Sequence, residues 1–80
     1  MTHPEAVKAF LKKFPNLIPK QIIDYDDEHY IIEALPEGVE VSYDDPFYGV
    51  DKNTGQVTYF SIGPERVKFF DALENRSTKL

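Results

Sequence analysis

The chain has 80 residues, with 9 Lys+Arg against 14 Asp+Glu for a formal net charge of −5, and neither cysteine nor tryptophan. This length holds one small domain, residues 1–80, and the lack of cysteine excludes a disulfide framework, a thiolate zinc site and a cysteine nucleophile. A hydrophobic fraction of 41% with 14% aromatic residues is too rich for a disordered acidic tail, while the negative charge argues against direct binding of a nucleic-acid backbone.

The first predicted element is a helix at about residues 3–14. Thr2 and Glu5 have capping-box spacing, and Pro4 sits in the first turn, where a missing N–H costs little. Val7, Phe10, Leu11 and Phe14 recur on one helical face, Lys12 and Lys13 suit the C-terminal end, and Pro15 stops the helix.

Two strands follow. Ile18 to Tyr25 and His29 to Leu35 are rich in Ile and Tyr, and the polar link Asp26-Asp27-Glu28 makes them an antiparallel hairpin. Pro19 donates nothing to a ladder and belongs at a strand start or an edge. Residues 36–46 read as an acidic loop, with Val39 and Val41 in a short irregular strand.

A second hairpin carries the sharpest local signal. F-Y-G-V-D at 47–51 and Q-V-T-Y-F at 56–60 flank Lys52-Asn53-Thr54-Gly55, and Gly55 supplies the positive φ of a type I turn with a G1 bulge. Pairing Val50 with Val57 sets Tyr48 opposite Tyr59 and puts Phe47 and Phe60 on the other face.

Gly63-Pro64-Glu65 opens a second helix, on which Val67, Phe70 and Leu73 form a loose stripe widened by Phe69 and Ala72. Residues 75–80 read as a frayed tail. The expected fold is therefore α+β: an N-terminal helix, a four-stranded antiparallel sheet of hairpins and a C-terminal helix, both helices on one face. The expected core is Val7, Phe10, Leu11, Phe14, Ile23, Ile32, Val50, Val57, Val67, Phe70 and Leu73.

Charge is strongly segregated along the chain. Residues 1–20 hold four Lys and one Glu, residues 21–51 hold ten acids and no Lys or Arg, and residues 52–80 hold five basic and three acidic residues. The acidic middle also carries Tyr25, Tyr30, Tyr43, Phe47 and Tyr48, and tyrosine is enriched where partners dock. Carboxylates spaced in this way suit a basic surface on a protein partner, as in proteins that imitate nucleic acid.

Catalytic and metal signatures are weak. D-Y-D-D-E-H at 24–29 alternates acids as a calcium loop begins, but His29 stands where that loop needs glycine and Leu35 where it needs its closing glutamate. Asp44-Asp45 precede Pro46 as a turn dipeptide does. His3 and His29 lack a partner serine in a nucleophile motif, and the four glycines form no phosphate-binding loop. No catalytic residue, metal ligand or cofactor is assigned. The chain also lacks the basic start with a following apolar run of a signal peptide, and any run of about 18 apolar residues, so the expected compartment is the cytoplasm, away from the membrane.

The segment P-F-Y-G-V-D-K-N-T-G-Q-V-T-Y-F resembles a hairpin seen in small bacterial and phage-encoded proteins. The Y-D-D-x-x-Y-I-I hairpin and the closing K-F-F-D-A-L are similar to stretches of short phage and prophage reading frames. The resemblance implies a small binding or assembly protein and carries no catalytic residue onto this chain.

The expected function is that of a non-enzymatic accessory protein that binds another protein. Its acidic, tyrosine-bearing surface comprises Tyr25, Asp26, Asp27, Tyr43, Asp44, Asp45 and Tyr48. The alternatives are a structural subunit that forms a homo-oligomer through sheet edges and a nucleic-acid-mimicking inhibitor of a host protein.

Overall fold

A computed structural model describes residues 1–40 and 45–80. Val41, Tyr43 and Asp44 lie outside the described residues. Helix α1 spans His3–Lys13. Its capping box forms: Thr2 Oγ1 accepts the Glu5 N–H at 3.3 Å, and Glu5 Oε1 accepts the Thr2 N–H at 2.9 Å. Phe14 caps the other end through its N–H to the Phe10 carbonyl, just before Pro15. Ala6 and Phe10 are fully buried, with Val7, Leu11 and Phe14 packed around them.

The sheet has five strands rather than the expected four: β1 Leu17–Asp24, β2 His29–Pro36, β3 Phe47–Asp51, β4 Val57–Tyr59 and β5 Ser77–Lys79. Their order is β4-β3-β2-β1-β5, and every neighbouring pair is antiparallel. The register expected for the second hairpin holds, with Val50 opposite Val57 and Tyr48 opposite Tyr59. Gly55 has φ +75°, and the turn closes through Gly55 N–H to Asp51 O at 2.8 Å and Asp51 N–H to Gln56 O at 2.9 Å. After β2, Glu37 and Gly38 form a turn, closed by the Val39 N–H on Pro36 O at 3.1 Å, and Val39 is not in a strand. Pro19 pairs with Ala34 beside an irregularity in β1 and lies beyond the short stretch that β5 covers.

Strand β5 comes from the segment expected to fray. Its three side chains are polar and exposed, so nothing in their pattern marks a strand. Backbone hydrogen bonding makes it. Ser77, Thr78 and Lys79 pair with Ile23, Ile22 and Gln21, and the flanking bonds Asp24 N–H to Arg76 O and Leu80 N–H to Lys20 O extend the ladder. Peptide groups on β1 that would otherwise sit at an open edge are thereby satisfied.

The two helices lie on opposite faces of the sheet, a correction to the one-face arrangement. Ile22, Tyr30, Ile32, Ala34, Val50 and Val57 pack with Phe10 of α1. Ile23, Tyr25, Ile31 and Phe47 pack with Phe69 and Ala72 of α2, which spans Arg66–Asn75. Cross-strand partners keep to one face, Ile22 with Ile32 and Ile23 with Ile31. Strands covered on both sides read as continuous apolar runs, which is what Ile22-Ile23 and Tyr30-Ile31-Ile32 display.

Helix α2 also turns a different stripe inward from the one expected. Phe69 and Ala72 are fully buried and Leu73 is half-buried, whereas Val67 is 86% exposed and Phe70 45% exposed. The helix follows the 3₁₀ turn Gly63–Glu65, and the sheet residues Ile23, Ile31 and Phe47, with Phe60 and Ile62, take up its 69/72/73 side. Among the described residues no helix is long and apolar enough to cross a membrane.

Candidate functional site at the turn end of the sheet

Both hairpin turns lie at one end of the sheet, and an aspartate organises each. Asp26 Oδ1 accepts the N–H of Glu28 at 2.9 Å and of His29 at 2.7 Å. Asp51 Oδ1 accepts the N–H of Asn53 at 2.7 Å and of Thr54 at 2.9 Å. Short acceptors that mimic a backbone turn are the reason Asp recurs in such positions. The Thr54 and Asn53 N–H groups hold the Asp51 carboxyl below the usual carboxylate range. For Asp26, burial pushes upward, but the Glu28 and His29 N–H groups and the Lys68 ammonium outweigh it and leave the carboxyl lowered.

Lys52 ties the turns together. Its backbone N–H donates to Glu28 O at 2.8 Å, its Nζ reaches Asp24 Oδ1 at 2.6 Å, and the same ammonium stands 4.6 Å from the Tyr30 ring centre. Arg76 fastens the first turn from the α2 side, donating from Nε to Asp24 O at 2.8 Å and from Nη2 to Tyr25 O at 3.2 Å.

On the α2 face the Tyr25 ring is 4% exposed and its hydroxyl donates to Glu65 Oε2. Burial, reinforced by that bond and by the Glu65 charge, pushes the phenol far above its ordinary value, so it stays a donor. Lys68 Nζ lies 4.6 Å from the Tyr25 ring centre and 3.3 Å from Asp26 Oδ2, and His29 Nδ1 is 3.5 Å from Asp26 Oδ1. A cavity of about 320 Å³ opens here, with Ile31 and Gly49 from the sheet, Phe60 and Tyr25 as aromatic lining, and Glu28 and Glu65 among its polar groups.

The described members of the sequence-selected set, Tyr25, Asp26, Asp27, Asp45 and Tyr48, fall into two groups. Tyr25, Asp26 and Asp27 belong to this turn end, where Tyr25 is buried, Asp26 is engaged in the turn and Asp27 is exposed. Asp45 and Tyr48 line a separate cavity of about 340 Å³ with Tyr59 and Leu17. Its position is set by Ala34 N–H bonding Pro46 O, five residues along β2 from His29, or roughly 17 Å at the rise of a strand. Tyr48 is half-buried against Phe10 and Phe14, ring centres 5.3 and 5.0 Å away.

Glu65 and Lys68 join the turn end only through tertiary folding, whereas Gly49 and Lys52 belong to the second hairpin, which the sequence shows. No group of three or more His, Cys, Asp or Glu among the described residues is arranged to hold a metal ion. No protein-family model, curated protein or solved structure matches the chain.

Proposed function

We propose that the chain is a small non-catalytic binding protein that engages a basic surface of a protein partner through the acidic turn end of its sheet. The observation that carries this reading is an exposed acidic tip on a fixed backbone. Asp27 and Glu28 are exposed and make no ion pair among the described residues, whereas Asp24 and Asp26 are matched to Lys52 and Lys68. The peptide groups around the exposed pair are held by Asp26 Oδ1 and by the Lys52 N–H. A rigid presentation lowers the ordering cost of binding, and uncompensated charge steers an oppositely charged partner.

The alternative of an assembly subunit joined through sheet edges is less well supported. Strands β4 and β5 are three residues each, and Lys13 Nζ occupies the Val57 carbonyl at 2.6 Å, which blunts the β4 edge. A phage or prophage setting rests on the hairpin resemblance. A titration of the ¹⁵N-labelled protein with a Lys/Arg-rich peptide tests the proposed function. Amide shifts clustered on residues 26–29, weakening steeply as salt rises, support it. Shifts spread over every acidic segment, or insensitive to salt, reject it.

A further inference from the structure

Gly49 stands in the interior of β3, where glycine weakens a strand and packs nothing. Its φ is not positive, and a Cβ built on it would meet nothing closer than Thr58 Oγ1 at 3.8 Å. Neither backbone geometry nor crowding requires glycine at this position. The missing side chain instead leaves the floor of the cavity of about 320 Å³ open beside Ile31.

The chemistry around that opening favours a cation on an apolar stem. Phe60 and Tyr25 supply aromatic surface, their ring centres 5.2 Å apart, and Glu65 and Glu28 supply carboxylates. Beside the cavity, though not lining it, the Lys68 ammonium rests over the same Tyr25 ring and on Asp26, a cation held by these groups. A guanidinium suits such a site better than an ammonium does, because its plane stacks on aromatic rings while its fork meets a carboxylate with two N–H groups. The volume lies at the lower end of the roughly 300–1,000 Å³ typical of small-ligand pockets, which is ample for one side chain.

We propose that this cavity receives an arginine side chain of the partner, its stem over Gly49 and Ile31 and its guanidinium against Glu65 and the Tyr25–Phe60 wall. The inference rests on the proposed function and names the group that anchors the partner beside the acidic tip.

The test uses Nα-acetyl-arginine methylamide as the probe and its neutral isostere, Nα-acetyl-citrulline methylamide, as the control. Saturable amide shifts at Ile31, Gly49 and Thr58 are expected with the arginine probe, at least tenfold weaker with the citrulline one. Gly49→Val fills the floor with a residue that strands favour, so it should keep or raise the melting temperature while weakening the probe at least tenfold. Gly49→Ala, a smaller intrusion, should weaken the probe less. Wild-type affinity in a folded Gly49→Val protein, or no saturable shift at the three amides, overturns the inference. Asp27→Lys separates it from the broader reading, because Asp27 does not line the cavity. A basic peptide that loses affinity for Asp27→Lys while the arginine probe leaves Gly49 undisturbed removes the pocket and keeps the acidic tip. Probe binding at Gly49 with peptide binding indifferent to Asp27→Lys does the reverse.

Discussion

The Lys52 ammonium and the Asp24 carboxylate meet at 2.6 Å across 28 residues of chain, joining the second hairpin turn to the end of β1. The Lys52 side chain is 18% exposed and that of Asp24 is 47% exposed, so solvent screens the pair from one side only. A double-mutant cycle of Lys52→Met and Asp24→Asn should give a coupling of about 0.5–1 kcal/mol, the upper part of the range for exposed pairs. Urea unfolding of the four proteins measures it. A coupling near zero would leave the Lys52 N–H bond to Glu28 as the effective tie.

Tyr25 should ionise well above the range of an ordinary phenol. Its pKa is raised by burial and by Glu65, so its contribution to stability is present below the ordinary phenol value near 10 and is lost as pH rises through the higher folded value. Absorbance at 295 nm should show a late phase missing from Tyr25→Phe. That variant also strips Glu65 of its donor and should cost about 1 kcal/mol at neutral pH.

Acid should act in the opposite sense through the two turn aspartates. Asp26 and Asp51 both have lowered values in the folded state. Their stabilising effect is present above the ordinary carboxylate value of about 4 and fades as pH falls through the folded values. The melting temperature should therefore decline on going from pH 5 to pH 2, and Asp51→Asn should flatten that decline. An unchanged slope in the variant would show that the Asn53 and Thr54 bonds add no pH-dependent stability.

The two adjacent phenylalanines of α2 should respond very differently to truncation. Phe69 is fully buried against Phe47, ring centres 4.8 Å apart, and Phe69→Ala should cost about 3–5 kcal/mol. Phe70 faces solvent with Arg66 beside its ring, and Phe70→Ala should cost under about 1 kcal/mol. Thermal or urea unfolding of the pair fixes the orientation of the helix. Equal costs would contradict it.

These two residues also show where sequence legibility ends. The stripe on α1 was plain because its capping box, Pro15 and the spacing of Val7, Phe10, Leu11 and Phe14 all agree on one phase. On α2 the pairs 67/70 and 69/72 have the same helical spacing, and only the sheet beneath selects between them. The Val50–Val57 register was readable because Gly55 fixes the turn. Strand β5 was not, since Ser77, Thr78 and Lys79 join the sheet through peptide groups that every residue carries. For the candidate site, the acidic turn at 24–29 was visible locally. Glu65 and Lys68 reach it from about 40 residues away along the chain, by a helix path that no local pattern encodes.

Charge reversal at each end of the sheet decides whether the turn end is the binding surface. Asp27→Lys/Glu28→Lys alters the acidic tip, and Glu37→Lys/Asp45→Lys alters the opposite end by the same charge. Affinity for a Lys/Arg-rich peptide is measured at low salt for both, with melting curves to confirm folding. The expected result is a loss of about tenfold or more, roughly 1.4 kcal/mol, in the tip variant and little change in the other. Equal losses from both, or an undiminished tip variant, would contradict binding through the turn end.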